Sequence, residues 1–162
     1  MALRPFPSYP ACPVCGDRAV NPSSLAVGWS WDPERQLALG RFTPGRLHAG
    51  YAGMLHGGIL STLLDECLAW ACAVRMRAYC VTGELDVRFK SPAPIGEELE
   101  LAGWSVSSWG RYARARGKVR STSGGEIASG TATFVALSRA ESEALHAALR
   151  LEPGDVDVLH GA

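Results

Sequence analysis

The run Met54-Leu55-His56-Gly57-Gly58-Ile59-Leu60-Ser61-Thr62-Leu63-Leu64-Asp65-Glu66 holds the side chains best suited to chemistry. Gly57 and Gly58 stand where a helix would begin, and there they leave amide N–H groups free and sterically open. Backed by the helix dipole, such groups can polarise a carbonyl and stabilise an oxyanion that develops on it. Asp65 lies eight residues beyond Gly57, about 12 Å further along a helix axis. A carboxylate that far away cannot reach a carbonyl held at Gly57 of its own helix. An antiparallel partner helix would bring its Asp65 alongside, so sites built from both chains of a dimer are expected. Asp65, on an otherwise apolar helix, is expected to be poorly solvated and able to serve as general base or nucleophile. Glu66 is turned about 100° away around the helix and is expected to face a sheet edge or solvent.

The elements that must position these groups follow from periodicity. Ile59, Leu60, Leu63, Leu64, Cys67, Leu68, Ala71 and Val74 recur at three- and four-residue spacings, with Ala69 and Trp70 widening the stripe. This predicts a long helix from Gly57 that other elements wrap. Before it, Leu25 to Trp31 and Gln36 to Phe42 form two apolar runs around Asp32-Pro33-Glu34-Arg35, a hairpin, and Thr43 to Met54 is loop-like. After it, apolar and polar residues alternate as in half-buried strands. Leu85, Val87 and Phe89 form one set, Leu99 and Leu101 a second, and Ala113, Ala115 and Val119 a third, while Ile127 to Leu137 supplies a last strand. The expectation is an α+β fold in which an antiparallel sheet of about six strands, its last four a meander, curls around one central helix. Ser138 is a fair N-cap for a short helix over 139–150. Residues 1–24 carry five of the ten prolines and read as an extended arm, 25–150 as the domain, and 151–162 as a frayed tail.

The helix start and the strand after it together resemble the hotdog thioesterases, in the branch of phenylacetyl-coenzyme A and acyl-coenzyme A thioesterases. That branch carries His-Gly-Gly at the helix start and an acid nine positions after the His, here His56 and Asp65. Val81-Thr82-Gly83-Glu84-Leu85 and Ser91-Pro92-Ala93-Pro94-Ile95-Gly96 are similar to the family's next strand and its Pro loop, and the resemblance spans about residues 25–137. It implies a hotdog fold and hydrolysis of an acyl-coenzyme A to a carboxylic acid and free coenzyme A. Asp65 would act as base or nucleophile, and Gly57, with Gly58, as oxyanion donor. Thr82 would orient the water or the acid. His56 is expected to shape the loop and cap the helix. The nucleotide would lie near the Pro loop and the next hairpin, touching Glu84, Lys90, Ser91 and Pro92 and Trp109, Gly110 and Arg111, with Arg111 foremost. One departure stands out: many relatives have Asn or Gln six residues before the His, where this chain has Gly50. That role is either vacant or filled by another residue such as His48. A non-catalytic acyl-coenzyme A-binding or sensing hotdog protein is the alternative.

Bulk properties narrow the partners. In 162 residues, 16 basic and 16 acidic side chains cancel, so no overall field favours nucleic acid. No signal-peptide pattern precedes the domain, and a membrane span is rejected because Asp65 and Glu66 would sit at mid-bilayer. A cytoplasmic homodimer, or a dimer of dimers, is expected. Cys12-Pro13-Val14-Cys15-Gly16 looks like half a zinc knuckle, but two ligands fall short of four, and further ligands would have to be distant residues or come from a second subunit. The expectation is therefore no cofactor and no metal, with the arm acting as a structural cap over the acyl pocket. The other three cysteines read as small core residues.

Overall fold

The computed structural model describes residues 2–161. The strands are β1 (Arg4–Pro5), β2 (Trp29–Asp32), β3 (Leu37–Phe42), β4 (Ala49–Tyr51), β5 (Met54–Leu55), β6 (Cys80–Phe89), β7 (Leu99–Trp109), β8 (Tyr112–Ser121) and β9 (Glu126–Ala136). The helices are α1 (Gly57–Met76), between β5 and β6, and α2 (Arg139–Ala148), after β9. Seven strands form one antiparallel sheet in the order β1-β2-β3-β7-β8-β9-β6, and β4 and β5 pair apart from it.

Leu63, Leu64, Cys67 and Leu68 of α1 are fully buried, and each of those leucines contributes about 2 kcal/mol by leaving water. The sheet closes on them because two of its residues lack side chains. A Cβ at Gly117 would sit 2.7 Å from Leu68 Cδ2, and one at Gly103 3.0 Å from Cys67 O. By length and composition α1 could cross a membrane; it is instead packed against β3, β6, β7, β8 and β9. The alternation expected of β8 holds, with Ala113, Ala115 and Val119 buried and the arginines between them exposed. The 32–35 hairpin, α1 and the Ser138 cap also form as expected; Ser138 accepts from the Glu141 amide, and Glu141 reaches back in a capping box.

Four expectations are corrected. The main sheet has seven strands, because Arg4–Pro5 adds one beside β2. The last four strands are not a simple meander: β6 pairs with β9 at the far edge, and the 90–98 connection carries the chain back to β7 beside β3. The arm is packed, with Phe6 buried and stacked on Trp70 at 4.6 Å between ring centroids. The tail is packed too. Val156, Val158 and Leu159 join the core, and the Val156 amide donates to Pro5 O. Isolated apolar residues among prolines and glycines show no period, so neither terminal segment announces its burial.

Candidate active site

His56 precedes α1 in extended conformation, and its Nδ1 accepts from the Gly58 amide at 2.9 Å. This is the capping arrangement anticipated for it. The His56 amide donates to His48 O at 2.9 Å, fixing the approach of the chain. Among the described residues nothing accepts from the Gly57 amide, which sits at the exposed tip of the helix dipole. Gly57 opens on a cleft of about 550 Å³ shared with Gly50, Tyr51, Phe89, Lys90, Ser91 and Pro92. A larger cleft, about 840 Å³, runs between Pro13 and Leu25 of the arm, Leu47 and His48, and the α1 face carrying Ile59 and Thr62.

Asp65 is half-buried on the side of α1 that meets β6, where Thr82 Oγ1 donates to its Oδ1 at 2.7 Å. It does not line the cleft on which Gly57 opens. Within one chain the candidate acid and the candidate oxyanion donor are therefore apart, as their separation along the helix requires.

Desolvation falls on the neighbouring carboxylate. Glu66, expected at an edge or in solvent, lies under the N-terminal arm, with Oε1 buried and without a hydrogen-bond partner among the described residues. Burial is the largest influence on it and pushes its pKa up to about 7. Its Oε2 is 3.5 Å from Cys12 Sγ. The sequence concealed this because the arm that covers Glu66 had no legible fold.

Gly50 packs against His56: a Cβ there would lie 3.0 Å from His56 Cα. No side chain can therefore take the Asn or Gln role at this position without movement. His48 lines a different cleft from Gly50. Its Nδ1 accepts from the Gly45 amide at 2.9 Å, its ring tilts on Phe42, and it faces the larger cleft. Tyr51, which sequence reasoning passed over, stands in the Gly57 cleft instead, as does Phe89. The strand pattern had assigned Phe89 to the core, yet it is 53% exposed because β6 is an edge strand.

The expected nucleotide contacts divide into two groups. Lys90, Ser91 and Pro92 line the Gly57 cleft, with Lys90 paired to Glu126. Trp109, Gly110 and Arg111 form the β7–β8 turn, which lies beside the start of β6 and the end of β9, at the other end of the sheet. Arg111 Nε donates to Ala136 O at 3.4 Å. Glu84 follows a bulge in β6 opposite Thr133 and is exposed. One protomer therefore does not bring Lys90 and Arg111 together.

The fold places the chain among proteins of known structure. A crystal structure of a thioesterase superfamily protein superposes with a TM-score of 0.67 at 28% identity, covering 78% of this chain and 63% of that one. The PaaI protein from the phenylacetic acid degradation operon of E. coli gives 0.65 at 17% identity, over 75% and 86%. The fold is a hotdog. Another relative with this hotdog layout is thioesterase superfamily member 2 of Mus musculus, with a TM-score of 0.57 at 26% identity over 64% of this chain and 82% of its own. A Streptococcus mutans protein bound to acetyl CoA gives 0.59 at 18% identity, over 64% and 82%. The family described as the thioesterase superfamily matches residues 52–128, the hotdog segment from just before the helix to early β9. The chain spans under two thirds of the length of the 28%-identical relative. No curated protein matches the sequence.

Proposed function

We propose that this chain is an acyl-coenzyme A thioesterase whose active site is completed by a second copy of itself. The observation that carries this reading is the Thr82–Asp65 hydrogen bond of 2.7 Å, on the same helix as a Gly57 amide that has no acceptor among the described residues. The thioester oxygen would take the Gly57 N–H of one protomer, placing the carbonyl carbon in the cleft between His56 and Phe89. Asp65 of the neighbour would activate water or attack the carbonyl itself, and Thr82 holds one carboxylate oxygen so that the other is presented. The products would be a carboxylic acid and the coenzyme A thiol.

The second copy is argued from the sheet edge. β6 is a ten-residue strand with a neighbour on one side only, and it exposes Val81 at 50% and Phe89 at 53%. Between them the strand exposes Glu84, Asp86 and Arg88, and its unpaired backbone groups are a template for a further strand. Antiparallel association across β6 and α1 would bring Asp65 of one chain towards Gly57 of the other. It would also let Lys90 and the partner's β7–β8 turn approach one nucleotide. The family match and the acetyl CoA-bound hotdog protein support the choice of coenzyme A thioesters.

The test is thiol release from a panel of aromatic, short-chain and long-chain acyl-coenzyme A substrates. Turnover of at least one is expected; a pure protein inert to all of them overturns the assignment. Gly50 favours one second reading, because its lack of room removes a side chain that many relatives use. In that case the protein binds acyl-coenzyme A without hydrolysing it, and calorimetry would show tight binding with no turnover.

A further inference from the structure

Cys12, Cys15 and Glu66 take no part in the proposed hydrolysis, yet one atom from each converges. The two sulfurs and a carboxylate oxygen all lie within 4.8 Å of one another. The Cys12 thiol donates to Glu66 Oε2 at 3.5 Å, a separation that also fits the edge of about 3.5 Å of a tetrahedron built on usual zinc–sulfur and zinc–oxygen distances. The loop between the cysteines is folded to hold a thiolate. The amides of Val14 and Cys15 point at Cys12 Sγ at 3.3 and 3.5 Å, and the Gly16 amide closes the turn on Cys12 O at 3.0 Å. Only glycine fits at position 16, because a Cβ would lie 2.3 Å from Cys12 O and 2.6 Å from Pro10 O. The other oxygen of Glu66 is buried without a partner, as is the nearby Trp29 Nε1. A buried carboxylate beside two thiols is costly unless its charge is offset, and a cation would do so.

We propose that Cys12, Cys15 and Glu66 bind a divalent zinc-like ion that clips the N-terminal arm to the central helix. Two thiolates select a soft or borderline metal over calcium or magnesium. On binding, the two thiols and the carboxyl group give up their protons to solvent, and the divalent ion reduces the resulting charge of the three ligands from −3 to −1. The cysteines are half-buried, so a fourth ligand would have to come from solvent. Counting two ligands in the sequence suggested a metal-free arm; the fold supplies the third from 54 residues away. The ion would sit on the opposite flank of α1 from Thr82, and its role is structural: Pro13, inside the knuckle, is also a wall of the larger cleft.

The test uses the full chain purified without chelator after growth with added zinc. Elemental analysis should find about one zinc per chain, and added cobalt(II) should give the sulfur-to-cobalt charge-transfer absorption of thiolate ligation. Cys12→Ser and Cys15→Ser should abolish both signals, and Glu66→Gln should weaken binding by at least about tenfold. Wild-type protein that binds zinc only at background level and shows no cobalt band overturns the proposal without relying on any variant. So does a Cys12–Cys15 disulfide in the purified protein, or metal content unchanged by the two serine substitutions. Asp65→Asn should retain the metal whether or not the chain hydrolyses thioesters, which separates this site from the catalytic one.

Discussion

Thr82 Oγ1 donates to Asp65 Oδ1 at 2.7 Å, tying an exposed strand hydroxyl to a half-buried helix carboxylate. The bond holds the carboxylate through Oδ1, and under the proposed reaction Oδ2 would be the atom that acts. Glu66, one residue on, looks the other way into the arm. Two adjacent acids thus have different surroundings, one held by a strand hydroxyl and the other covered by the arm.

Replacing Asp65 with Asn keeps the shape and the Thr82 contact but removes the charge. Thiol release should fall by about a hundredfold or more, as expected for loss of a general base or nucleophile. Circular dichroism should show the same fold. Turnover within about twofold of wild type would remove Asp65 from the mechanism.

Thr82→Val deletes the hydroxyl at nearly constant volume. The acid is then free to rotate, and kcat should drop by about tenfold with little change in KM. Thr82→Ser should restore most of the rate. If Ser and Val behave alike, the hydrogen bond has no catalytic part.

Gly57→Pro probes the oxyanion donor. Proline at the first helical position is well tolerated, and His56 already has the extended backbone, φ −64° and ψ 129°, that a residue before proline adopts. A Cβ at Gly57 meets only Phe89 ring atoms, at an ordinary 3.5 Å. The fold should survive while kcat falls by about a hundredfold or more. An active proline variant would show that the amide is not used.

Phe6→Ala tests the packed arm. Phe6 is buried and stacks on Trp70, so truncation should cost about 3 kcal/mol in denaturant unfolding. A change below about 0.5 kcal/mol would mean that the arm contributes nothing to the core.

The central helix, the 32–35 hairpin and the alternation of β8 were legible because each depends on local period and turn chemistry. The pairing of β6 with β9 was not, since four strands of similar pattern can be ordered in several ways and the 90–98 connection decides among them. The placing of Asp65 beside Thr82 came through family resemblance, which carries long-range contacts that periodicity lacks. Glu66 was misplaced for the converse reason: its cover, Cys12 to Gly16, lies in a proline-rich stretch with no readable structure. The family resemblance assigned Arg111 and Lys90 to one nucleotide, yet the register of β6 with β9 and of β8 with β9 puts them at opposite ends of the sheet of one protomer.

The most direct test of a site shared between chains is complementation. Gly57→Pro and Asp65→Asn proteins, each inactive alone, are unfolded together and refolded as a mixture. Half of randomly paired dimers are then mixed, and each holds one intact site made of Gly57 from one chain and Asp65 from the other. Activity should return to about a quarter of wild type. No recovery, with mixed dimers shown to have formed, would mean that donor and acid act within a single chain and would contradict the account.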